Sequence, residues 1–499
     1  MLVPGCASPP SDGRAEGPKF PSSPAARCVR GELRLGPRDY HNAGVPPRVL
    51  SPDQAAARVN RRDTVGFGLG PGIPHAFLQA LGRRTDWEDL VLGGALLLDL
   101  YEVCANPGVS YRSGFFGPAE RLLAAAGHRV EHVPGGFRQF APILARFAPR
   151  VMAVQAAPAV DGLFNLSLHV GGTAAELVAA GRDRDRLLIV ETNPNLPRTS
   201  GLYRAGGNAP AGWAPAEGRA GCAGAPSAGD TNTIPVELVD IVVEADHQPF
   251  SLVEAEPSGA DRQIAAIACK YVADGATLQT GIGAVPSLVA ATLADGPGGG
   301  YGVHSEMFTD GLRRLHQAGK VTNDAKGVYD GVSVTTFALG STELYRWLDG
   351  NPAVAFVPVD MVNDPDIIGR NRAMVSLNGA LAVDLYGQVA ADQIGGNQIS
   401  GVGGHEDFVA GTELRLDSHS LICLHSTLTV AGEQRSRLLP TLPVGTTVST
   451  PRHHLDVVVT EYGAAEVRGL TVRERARALA GIAHPDFRDA LAAAAEELS

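Results

Sequence analysis

Glu306 ends a run, Tyr301-Gly-Val-His-Ser305, that carries no other charge. A lone carboxylate at the end of a buried-strand candidate can serve as a covalent nucleophile, because α/β sites are built at strand ends. An unperturbed glutamate titrates near ~4.3, so an anion at neutral pH is expected here. The plainer alternative is a solvated or ion-paired carboxylate. His304 lies two residues earlier, on the same face if the strand continues, and reads as a packed histidine rather than a base.

Two glycine-rich stretches could serve such a carboxylate. Gly281-Ile-Gly283 sits between a strand pattern and a helix pattern, with Pro286 near the first turn. Backbone N–H groups there can cradle a phosphate without any lysine, although a structural turn would need the same residues. Ile399-Ser-Gly-Val-Gly-Gly404 lets successive amides converge on an oxyanion or a ligand carbonyl; a tight strand-to-helix turn is the alternative. No G-x-S-x-G elbow, Walker A loop or H-E-x-x-H motif is present. Gly66, Gly68, Gly70 and Gly72 alternate without forming G-x-G-x-x-G, which fits a turn better than a dinucleotide site.

The elements that must hold these residues alternate in type. Ser51-Pro-Asp-Gln54 reads as a capping box where folded sequence begins. Strand patterns at Asp63–Phe67, Val151–Ala156, Leu187–Val190 and Ile241–Val243 are interspersed with helix patterns at 75–81, 119–126 and 174–180. In the second half, Ile264, Ile267, Ala268 and Tyr271 mark an amphipathic helix. Strand, glycine loop and helix follow over Ala276–Leu293, and a helix after Glu306 stops at Gly319. Later strand patterns fall at Val332–Phe337, Val354–Val357, Ala380–Leu385, Leu421–Leu424 and Val457–Thr460, before a last helix at Val472–Ile482. Such alternation with short turns predicts α/β domains with largely parallel sheets.

At 499 residues, two or more domains are expected. We divide the chain into residues 1–47, 48–257 and 258–499. The first segment holds nine prolines and no periodicity, and is expected to be disordered. A Gly/Ala/Pro-rich stretch at 204–230 reads as a surface insertion. A net charge of −11 argues against nucleic acid or an anionic membrane as partner, and no run approaches the ~18 apolar residues of a membrane span. The six cysteines, Cys6, Cys28, Cys104, Cys222, Cys269 and Cys423, include no C-x-x-C pair. That pattern argues against a metal or disulfide framework and fits a reducing cytoplasm. Leu2-Val-Pro-Gly-Cys6 is not preceded by a basic or apolar segment, so a lipoprotein signal is rejected.

From about Ser51 onward, the chain resembles the acetyl-CoA hydrolase/transferase family, which includes 4-hydroxybutyrate CoA-transferases. The resemblance rests on Thr280-Gly-Ile-Gly-Ala-Val-Pro286, Val303-His-Ser-Glu-Met307 with Asp310-Gly311, Ser400-Gly-Val-Gly-Gly404 with Asp407-Phe408, Val459-Thr-Glu-Tyr-Gly463 and Ile482-Ala-His-Pro-Asp-Phe487. It implies two open α/β domains of the CoA-transferase type, the C-terminal one carrying the catalytic glutamate at Glu306. It also implies oxyanion donors at Asn363 and Gly404, and CoA contacts at Gly281, Ile282, Gly283, Ala284, Val285, Ser400 and Gly404.

The implied reaction is ping-pong transfer of CoA from a short-chain acyl-CoA to a carboxylic acid through a glutamyl-CoA thioester. Acyl-CoA hydrolysis on the same glutamate is the alternative, and a catalytically silent CoA-binding protein is the non-enzymatic one. No metal and no permanently bound cofactor are expected; coenzyme A enters as substrate. A homodimer or higher homo-oligomer is expected by the same analogy. The family's lysine after the segment matching Leu421–Thr427 is missing, since Ser426-Thr-Leu-Thr-Val430 holds none.

Overall fold

Runs of consecutive buried apolar residues mark the strands of a parallel sheet covered on both faces, and Val151–Val154 is such a run. The structure is a computed structural model and describes residues 45–202, 231–252 and 256–498. The expectations for most of the 1–47 tail and for the 204–230 insertion fall outside the described residues.

The first sheet contains β1 (Arg48–Leu50), β2 (Arg62–Phe67), β3 (Asp89–Gly94), β4 (Val109–Ser113), β5 (Val130–His132), β6 (Val151–Val160), β7 (Leu163–Asn165), β8 (Leu187–Thr192), β9 (Thr233–Pro235) and β10 (Ile241–Glu244). Its main path runs β1-β10-β8-β6-β2-β3-β4-β5, every pair parallel, with β7 antiparallel to β6 and β9 antiparallel to β7. Folded structure begins slightly earlier than expected, because Arg48–Leu50 pairs with Ile241–Val243. The capping box is present: Ser51 Oγ accepts from Gln54 N, and Gln54 Oε1 accepts from Ser51 N.

The second sheet contains β11 (Thr277–Thr280), β12 (Gly302–Val303), β13 (Met374–Gly379), β14 (His419–Cys423), β15 (Val457–Thr460) and β16 (Gly463–Glu466). Its order is β12-β11-β13-β14-β15-β16, parallel except for the final hairpin. The chain steps from β11 outward to β12, then returns to β13 on the other side of β11. The order therefore reverses between β11 and β13, and ligands of open α/β sheets bind at the carboxyl ends flanking such a reversal.

A continuous apolar cluster joins Met152, Val190 and Leu177 from the first half to Leu278, Val303 and Phe308 from the second. The two sheets therefore share a core. Among the described residues, no helix is long and apolar enough to cross a membrane.

Candidate active site

The segment after β12 leaves the sheet but stays tied to its neighbours. His304 N donates to Leu278 O at 3.1 Å, and Ser305 N donates to Val334 O at 3.1 Å. Ser305 Oγ lies 3.1 Å from Thr280 O and 2.7 Å from Met307 O, and accepts from Thr280 N. The Glu306 carbonyl accepts from Thr336 N at 3.0 Å and from Thr335 Oγ1 at 3.0 Å. This main-chain harness fixes where the Glu306 side chain begins.

That side chain meets Asn363 and Gly404. Asn363 Nδ2 donates to Glu306 Oε2 at 2.6 Å, and the Gly404 amide also hydrogen-bonds the carboxyl group. Gly404 needs to be glycine for space, since its φ of −92° suits any residue. A Cβ there would stand 1.8 Å from Glu306 Oε2 and 2.3 Å from Asn363 Nδ2. Asn363 is fully buried after the short helix Val359–Val362, whose last carbonyl accepts from His304 Nε2 at 2.8 Å. His304 thus acts as a prop: burial pushes its pKa down to about 3, so it is neutral and packs against Tyr329 and Phe408.

The electrostatics of Glu306 overturn the expectation of a ready anion. Burial, with Asp407 nearby, raises its pKa to about 8 against the lowering effect of Asn363 and Gly404. Water reaches the side chain through a cavity, while protein surrounds the carboxyl group on its other sides. Asp407 lies in the first turn of the helix His405–Thr412 and accepts from Asn363 Nδ2 at 3.1 Å. It pairs with Arg138 Nε at 2.9 Å, and burial raises its own pKa to about 6.

The cavity measures about 200 Å³ and is lined by Gln279, Thr280 and Gly281 at the end of β11 and by Asn378 and Gly379 at the end of β13. It therefore occupies the crevice where the strand order reverses. Glu306, Met307, Phe115, Ala391, the Ser400–Gly404 loop and the following His405 and Phe408 complete it. Of the residues singled out in the sequence, Glu306, Asn363, Gly404, Ser400 and Gly281 come together here. Ile282, Gly283, Ala284 and Val285 do not line the cavity; Ile282 and Gly283 are exposed just beyond it. Gly283 takes φ +123° and caps the helix Ala284–Asp295 without a side chain. Its first-turn N–H groups therefore have no side-chain cap.

Sequence reasoning missed the roles of Asp407, Arg138 and Phe115. Asp407 had one signal, its place three residues after Gly404. Arg138 and Phe115 lie in the first half and had none.

Residues 340–495 match the family model of the acetyl-CoA hydrolase/transferase C-terminal domain. The chain is 37% identical over 452 residues to the 4-hydroxybutyrate coenzyme A transferase of Clostridium kluyveri, covering 89% of this chain and 96% of that protein. It is 32% identical over 457 residues to the succinyl-CoA:cyclohexane-1-carboxylate CoA transferase of Geobacter metallireducens, covering 91% and 96%. Among solved structures, RipA from Yersinia pestis superposes with a TM-score of 0.77 at 30% identity, over 90% of this chain and 97% of that one.

Proposed function

The chain belongs to the acetyl-CoA hydrolase/transferase family, and we propose that it moves CoA from a short-chain acyl-CoA to a carboxylic acid through Glu306. The observation that carries this reading is the seating of the Glu306 carboxyl group at the cavity wall, with Asn363 Nδ2 donating to Oε2 and the Gly404 amide bonding the same carboxyl group.

The ionised Glu306 oxygen attacks the thioester carbonyl, the C–S bond breaks, and an acyl-glutamyl anhydride and CoA thiolate result. The thiolate then attacks the glutamyl carbonyl of the anhydride and expels the first carboxylate, leaving a glutamyl-CoA thioester. A second carboxylate reverses both steps, so atoms and charge balance without ATP or metal. Asn363 and the Gly404 amide bond the carboxyl group of Glu306 itself, which makes them donors for the oxyanion that forms at the glutamyl carbonyl. The uncapped helix start after Gly283 and the Ser400 loop supply N–H groups for CoA.

Hydrolysis uses the same residues with water as the final acceptor. Incubation with acetyl-CoA followed by intact-mass measurement tests the shared core: a CoA adduct is expected, absent in Glu306→Ala. Acetyl-CoA loss that is rapid without a carboxylate and unchanged by adding one would replace transferase by hydrolase.

A further inference from the structure

A second cavity, of about 400 Å³, lies at the carboxyl ends of β2, β3 and β4. Leu69, Gly94 and Gly114 line it from the strand ends, and Ile143, Leu144 and Phe147 from the helix Phe140–Phe147. That helix has no fully buried residue although half of its side chains are large and apolar. The first sheet reverses its order at β2, with β3 on one side and β6 on the other, so this chamber sits where open parallel sheets bind ligands. Its histidine, His169, is fully buried with no hydrogen-bond partner on either ring nitrogen, and burial pushes its pKa down to about 3, so the ring is neutral. Arg112 and Arg146 also line the chamber but are exposed. Apart from these three side chains and Thr173, the lining is apolar or glycine.

The chamber is one residue away from the Glu306 cavity at two places. Gly114 lines the chamber, and the next residue, Phe115, lines the smaller cavity. Phe137 lines the chamber while its amide donates to Gly403 O at 2.8 Å, in the loop beside Glu306. The Phe137 ring packs on Phe337, with centroids 5.9 Å apart, in a cluster joined by Met307, which itself lines the smaller cavity.

We infer that the chamber takes the acyl chain of the substrate, with Phe137 and Met307 as the partition that yields to it. The substrate class is then an apolar acyl group of about six carbons, linear or cyclic; a cavity of about 150 Å³ suffices for benzene. Each methylene moved from water into such a space strengthens binding about fourfold. This inference rests on the transferase reading above.

The test compares CoA-adduct formation at subsaturating acetyl-CoA and hexanoyl-CoA on the full chain. Hexanoyl-CoA is expected to react at least tenfold faster; equal or slower reaction overturns the inference while leaving the transferase reading intact. No adduct from either thioester sinks that reading and this inference with it. Ile143→Trp, which fills the chamber from the helix, is expected to cut the hexanoyl-to-acetyl ratio at least tenfold. An unchanged ratio in the folded variant also overturns the proposal. The wild-type comparison decides if the variant does not fold.

Discussion

Asn363 Nδ2 stands 2.6 Å from Glu306 Oε2 and 3.1 Å from Asp407 Oδ2, so a single amide spans two carboxyl groups. The second contact orients the first, because Asp407 is itself anchored by Arg138. Removing an oxyanion donor typically costs roughly 100–1,000-fold in rate. Asn363→Ala is therefore expected to lower kcat by about that factor with KM for acyl-CoA little changed. Steady-state kinetics check this; a variant losing only KM would show that Asn363 serves binding alone.

Gly404 makes a harsher demand. A methyl group there would enter the space of Glu306 Oε2 and of Asn363 Nδ2 together. Gly404→Ala must therefore push the glutamate off its donors, although φ and ψ accept alanine. The expected result is a loss of activity of about 100-fold or more with the protein still folded, read by kinetics beside circular dichroism. Activity within threefold of wild type would show that the loop moves aside freely.

The pKa of about 8 at Glu306 predicts two pH responses. Attack needs the ionised form, so kcat/KM of the free enzyme should rise with pH and level off above about 8. The folded-state pKa lies above the ordinary 4.5. The cost of ionising the buried group is thus absent below about 4.5, grows through the window up to 8 and is complete above it. Glu306→Gln should match wild type in Tm at pH 4 and exceed it at pH 9, by a stability difference on the order of a few kcal/mol. A Tm difference independent of pH would contradict the burial of this carboxyl.

The strands dominated by apolar runs, such as Val151–Val154 within β6 and Val457–Val459 within β15, were legible because period and composition agree. The second sheet's inner strand β13 was not, since Ser376 and Asn378 interrupt its apolar pattern. Those polar residues sit where the strand reaches the site: Asn378 lines the cavity, and Ser376 Oγ lies 3.3 Å from its amide. The helix Phe140–Phe147 escaped notice too, with Pro142 inside its first turn. Glu306 and Gly404 were recognised by motif, but the protonation of Glu306 was not. A pKa depends on burial and on Asp407, and neither can be read from the uncharged residues before it.

Lys326 offers a last test of how the site is held. It is fully buried, and its ammonium group reaches Val303 O at 2.9 Å and Val332 O at 2.7 Å, stapling β12 to the segment before Ser333. Burial lowers its pKa to about 7, so the cost of keeping it charged is absent above the ordinary 10.5, grows as pH falls, and is complete below about 7. Lys326→Met removes that cost but leaves two buried carbonyls without their donor, each loss worth about 1–3 kcal/mol. The two effects oppose each other most at low pH, where the ammonium is fully charged. The variant should therefore be less stable than wild type at pH 9, with the deficit shrinking toward pH 6. Because Val303 lies three residues before Glu306, a fall in kcat of about tenfold should accompany the change. Denaturant titrations at both pH values check the stability; a deficit that grows toward pH 6 would mean the buried amine carries its charge at little cost.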